Sequence, residues 1–96
     1  FDAMTIDAVR GNGRIRSGHL AEGMTQLDQA VAWFKARTLW HDYCVFGLHL
    51  GEGYLQQEER SFAQNLFEEI VTMSHDKGYG RLEKKAIQSL CAMTKE

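Results

Sequence analysis

His41, Asp42 and Cys44 stand within four consecutive positions, and His49 follows about two helical turns later. If the segment is helical, His41 and Cys44 share a face, and an imidazole beside a thiolate is a donor set that zinc accepts. A closed zinc site needs two further ligands, and no second pair at suitable spacing accompanies this one. Cys44 also lies in the most apolar stretch of the chain, so these residues read as structural. The run Gly11-Asn12-Gly13-Arg14-Ile15-Arg16 looks like a glycine-rich phosphate loop with two arginines beside it. It lacks the third glycine and preceding strand of a dinucleotide fingerprint, and the Gly-Lys-Ser/Thr of a P-loop. It reads instead as a helix end or an inter-helix turn. Ser61, Ser74 and Ser89 fall in helical segments without the strained elbow that exposes a nucleophilic serine. The adjacent pairs Glu58-Glu59 and Glu68-Glu69 point to different sides of a helix, which suits a solvated face better than acid–base work. His75 is expected to bond the last carbonyls of its helix. No catalytic residue, cofactor site or metal site is expected, and the chain does not read as an enzyme.

The elements that carry these residues follow from hydrophobic spacing. Leu20, Met24, Leu27, Val31 and Phe34 recur at intervals of three and four between Gly18 and Thr38, which predicts an amphipathic helix with Ser17 as its N-cap. Phe62, Ala63, Leu66, Phe67, Ile70 and Met73 make a second stripe, predicting a helix from about Glu59 to Lys77 that stops at Gly78. Between the two, Leu39, Trp40, Tyr43, Cys44, Val45, Phe46, Leu48, Leu50, Tyr54 and Leu55 point in nearly every direction of a helical wheel. A helix apolar all round is buried on several sides, as a middle helix would be. Leu82, Ala86, Leu90 and Met93 suggest a last helix, and Phe1, Met4, Ala8 and Val9 a first one that Gly11-Asn12-Gly13 interrupts or ends early. The expected architecture is all-α, about five antiparallel helices joined by short turns. Trp33, Trp40 and Tyr79 are expected to seal the junctions between successive helices.

The 96 residues make one domain at most, and the chain begins at Phe1 rather than Met, as a piece of a longer protein would. With 44% hydrophobic and 25% charged residues and a net charge of −2, it lacks the basic excess of a nucleic-acid binder or of a protein drawn to anionic membrane. No apolar run approaches the ~18 residues of a membrane span, and no signal peptide is visible. Cys44 and Cys91 are expected to be reduced, buried and small, which favours a cytoplasmic location.

The segment Gly47-x2-Leu50-Gly51-x2-Tyr54, followed by Ala63 and Phe67, resembles the tetratricopeptide repeat signature, in which Leu-Gly-x2-Tyr lies on the first helix and Ala-x3-Phe on the second. It departs at two places, with Gly47 at the usual large residue and His75 at the usual closing proline. Gly18, Leu20, Gly23, Leu27 and Ala30 fall where the second helix of a repeat would place its small and large residues, with Gly23 and Leu27 forty residues before Ala63 and Phe67 and Gly11 matching on the helix before. The approximate repeats thus run over 4–38 and 44–78, with the start of a third over 81–95. Long, divergent repeats of this kind are similar to those of MalT-like transcription activators and of the ATPase regions attached to some nucleotide cyclases. The resemblance implies a stacked α-solenoid whose concave face is lined by the first helix of each repeat. That face would hold Thr5, Asn12 and Arg16 from one repeat and Val45, Leu48, Glu52, Leu55 and Gln56 from the next. It is apolar with a few charges, and lacks the Lys/Arg cluster needed to capture an acidic peptide tail. The function it implies is binding another protein or peptide, or self-association as a homodimer, within a larger regulatory protein. The alternative is a ligand-sensing regulatory domain.

Overall fold

The computed structural model describes residues 9–11, 13–15 and 17–94. Helical residues at 9–11 and 13–15 are labelled α1; α2 (Leu20–Ala36), α3 (Trp40–Gln56), α4 (Arg60–Lys77) and α5 (Gly80–Thr94) follow. Among the described residues there is no strand. Helices of this length, about 25 Å each, run back along one another because turns of two or three residues reverse the chain. α3 packs against α2, α4 and α5, and α4 against α5.

The turns share one construction. Gly18, Thr38, Glu58 and Gly78 are the residues with positive φ, at 90°, 58°, 62° and 76°. They fall twenty positions apart. Each is followed by an amide that donates to the carbonyl five residues back: His19 to Arg14 at 2.8 Å, Leu39 to Phe34 at 3.0 Å, Glu59 to Tyr54 at 2.8 Å and Tyr79 to Ser74 at 2.8 Å. The left-handed residue turns the chain out of the helix and the long-reach bond satisfies a carbonyl that the helix end leaves open. The amides of Gly23, Tyr43, Ala63 and Glu83 then bond back to residues 19, 39, 59 and 79, launching the next helix. His19, Leu39 and Glu59 occupy the N-caps without a side-chain cap bond, so the cap expected at Ser17 is not formed. Ser17 instead closes α1, its hydroxyl donating to the carbonyl of Gly13 at 2.8 Å.

Small residues set the depth at which helices meet. A Cβ placed on Gly11 would lie 3.3 Å from the Cβ of Leu27, and one on Gly51 would lie 2.5 Å from the ring of Phe67. Gly51 and Phe67 stand forty residues after Gly11 and Leu27, so the same close contact recurs in both helical hairpins. Gly11 and Gly13 are both helical, so the first helix does not end at Gly11 as a glycine pair would suggest; close packing of Gly11 on α2 offsets the weak helix preference of glycine. Gly23 is equally tight, but against backbone, since its Cβ would meet the carbonyl oxygen of Gly11 at 2.5 Å. Around these contacts Leu27, Phe34, Tyr43, Cys44, Phe67 and Ile70 form a fully enclosed core. α3 buries Tyr43, Cys44, Gly47, Leu48, Leu50, Gly51 and Gly53, as its all-round apolar pattern requires. Trp33, Trp40 and Tyr79 pack half-buried at the helix junctions. Cys91 departs from expectation and is exposed on α5.

These features predict opposite outcomes in one stability series. A non-glycine residue in the left-handed region costs about 1–2 kcal/mol, partly offset by the entropy glycine loses on folding, so Thr38→Gly is expected to stabilise by about 0.5–1 kcal/mol. Gly51→Ala forces a methyl into the Phe67 ring and is expected to cost about 1–3 kcal/mol. Urea denaturation of both variants measures the two signs; a destabilised Thr38→Gly would contradict the turn geometry.

Candidate functional site

Of the side chains considered for chemistry, Cys44 and Ser74 are buried in the stack. Cys44 is enclosed in the core, and burial, helped by the Glu69 carboxylate, pushes its thiol up to about 11. At neutral pH it is a protonated thiol, neither a ready nucleophile nor a metal ligand. His41 lies at the other side of a turn, edge-on to the Tyr79 ring with centroids 5.3 Å apart. Among the described residues no three His, Cys, Asp or Glu side chains gather as a metal site would require. Ser74 is buried and its hydroxyl donates to the Ile70 carbonyl at 2.6 Å within α4. His75 does not bond terminal carbonyls as expected; its Nδ1 lies 2.8 Å from Oε2 of Glu83, tying the end of α4 to the start of α5. At the other end of the same pair, the Arg60 guanidinium donates to the Met93 carbonyl at 2.7 Å.

The groove with the right residues for binding runs between α3 and α5. It encloses about 490 Å³. Val45, Leu48, His49 and Glu52 of α3 face Lys85, Gln88, Ser89 and Ala92 of α5, and Leu82 adds to the floor. Each α5 residue of the first set is forty positions after its α3 counterpart (85 − 45, 88 − 48, 89 − 49 and 92 − 52). The groove is therefore lined by positions forty residues apart on α3 and α5. Leu48 and Leu82 are nearly buried, at 8% and 9% exposure, and form an apolar floor. Glu52 projects from one wall with His49 Nδ1 at 4.0 Å from its Oε2.

Of the residues expected on a concave face, Val45, Leu48 and Glu52 line this groove. Leu55 turns half-buried onto the core, and Gln56 is exposed at the end of α3, outside the groove lining. Thr5, Asn12 and Arg16 lie outside the described residues. Sequence reasoning missed Leu82, Lys85, Gln88 and Ala92. The forty-residue interval, added to Val45, Leu48 and Glu52, is the signal that points to the last three.

The opposite surface holds a polar latch between α2 and α4. Lys35 Nζ lies 2.6 Å from Oε1 of Glu69, with side chains 52% and 41% exposed. Beneath it, burial raises the Tyr43 hydroxyl above its ordinary pKa, and the Glu69 carboxylate raises it further. Burial pulls the Glu69 carboxyl upward, but its bonds with Lys35 and Tyr43 win and hold it below its usual value. Nearby, the Tyr54 hydroxyl donates to Oδ1 of Asp28 at 3.3 Å, and its ring stacks on exposed Phe62.

A carboxyl whose folded pKa is depressed contributes stability above its unfolded pKa, near 4.5, and loses it as pH falls through the lower folded value. Glu69→Gln is accordingly expected to flatten the acid limb of stability below about pH 4.5, and to cost under about 1 kcal/mol at pH 7 because the pair is solvent-screened. Thermal melts between acid and neutral pH check this; an unchanged acid limb would remove the latch from the account.

Compared with protein-family models, curated proteins and solved structures, the chain matches none of them.

Proposed function

We propose that this chain is a protein-binding segment of a tetratricopeptide-like helical array, and that the α3–α5 groove takes a short segment of another protein. The observation that carries this reading is the pairing of equivalent positions across the groove, Val45 with Lys85, Leu48 with Gln88 and Glu52 with Ala92. A repeat architecture places the same positions of successive units side by side, which makes an extended surface rather than a closed reaction chamber. The apolar floor supplies burial and the polar walls supply orientation, the division of labour found in binding sites. Among the described residues, Cys44 is buried and protonated, and Ser74 and His75 are engaged in contacts within and between helices.

Selection from a random peptide library displayed on phage tests the groove directly. Recovered peptides are expected to lose at least about tenfold in affinity, or about 1.4 kcal/mol, against Leu48→Arg and Ala92→Arg. Binding to Thr72→Arg, altered on an exposed position of α4, should persist. Peptides that bind all three variants alike would sink the proposal.

Self-association is the second reading, and α5 favours it. Ile87 is 44% exposed, Cys91 is exposed and Leu90 is half-buried. These residues stand forty positions after Gly47, Leu50 and Gly51, which α4 covers on α3 through Leu66, Phe67 and Ile70. We propose that a second copy covers this face of α5. Sedimentation equilibrium should show dimers that Ile87→Glu returns to monomer; a strict monomer at high concentration would rule this out.

A further inference from the structure

The groove carries opposite charges at its two ends. Lys85 stands on the α5 wall near the start of the groove, beside Leu82 and Val45. Glu52 stands on the α3 wall at the far end, across from Ala92. α3 and α5 run parallel, because α4 runs antiparallel to both. Ala92, the counterpart of Glu52, is seven residues beyond Lys85 on the same helix, an axial rise of about 10.5 Å. Crossing from one helix to the other adds about 8–10 Å sideways. The diagonal from Lys85 to Glu52 is thus about 14 Å, and it passes over Leu48, which stands level with Gln88 between the two charges.

The gap between the two helices admits side chains but not another helix, since α3 and α5 approach with Cα atoms within 8 Å of each other. An extended backbone lying over the gap is the form that fits. Alternate side chains of an extended segment point the same way, and five residues place the first and fifth about 13–14 Å apart with the third between them. That span matches the diagonal.

We propose that the groove, if it binds peptide as argued above, selects an extended segment of the pattern acid–any–apolar–any–base. The acidic side chain meets Lys85, the apolar one sits on Leu48, and the basic one meets Glu52. Charge reading of this kind sets orientation and partner choice more than total affinity. Each exposed pair is expected to be worth up to about fivefold in Kd.

Three capped peptides test it: Ser-Glu-Ser-Leu-Ser-Lys-Ser, the same peptide with both charges acidic, and the same with both basic. Binding is read from amide chemical shifts of groove residues at neutral pH. The unaltered chain is expected to bind the mixed-charge peptide best. Lys85→Glu should shift the preference to the doubly basic peptide, and Glu52→Lys to the doubly acidic one. Both positions are solvent-facing, and circular dichroism verifies that the variants fold. Groove shifts of equal size for all three peptides would overturn the charge pattern and leave the groove reading standing. An absence of groove shifts at millimolar peptide would also overturn it, and the phage selection then decides the groove reading separately.

Discussion

A left-handed residue at every twentieth position is the constraint on which the rest of this structure depends. At Gly18, Thr38, Glu58 and Gly78 the chain leaves a helix in the same conformation and closes the same long-reach bond. Repeating one turn at one interval gives helices of nearly equal length, which stack with their faces in constant register. Two of the four positions are glycine, which accepts positive φ freely; Thr38 and Glu58 are held there at a local cost. The cost is tolerated because each turn seats two long helices on a shared core.

The second requirement is close approach. The Gly11–Leu27 contact and its equivalent, Gly51–Phe67, bring the two helices of each hairpin together at the same depth. On α3 the small residues serve two neighbours at once. Gly47 and Gly51 admit Ile70 and Phe67 of α4, while Gly53 admits Met24 of α2. A middle helix in such a stack has little solvated surface to spare, which explains why its sequence carries apolar residues around its whole circumference. The surface that α3 does leave open is the strip facing α5, and that strip is the groove.

Four polar contacts join one helix to another. Lys35–Glu69 links α2 to α4, Tyr54–Asp28 links α3 to α2, and His75–Glu83 with Arg60–Met93 clamps α4 to α5 at both ends. The exposed pairs each contribute little to stability, and of the four contacts Lys35–Glu69 alone joins helices, α2 and α4, whose backbones do not approach closely.

Much of this was legible from the residues alone. The stripes Leu20–Phe34 and Phe62–Met73 located two helices, and Gly47 to Phe67 exposed the hairpin contact, because helix periodicity and small-residue packing depend on neighbours only a few turns away. Val45, Leu48 and Glu52 could be placed together on one face for the same reason. Tertiary structure alone decided the remainder. The turns at Thr38 and Glu58 carry no glycine to announce them, and Ser17, a good cap by type, is passed over because the chain leaves α1 through Gly18. Leu55 goes to the core and Lys85 enters the groove, outcomes set by how α3 and α5, separated by an entire helix, settle against each other. Local sequence determines which face a helix buries; the angle at which non-adjacent helices stack determines which of those faces meet.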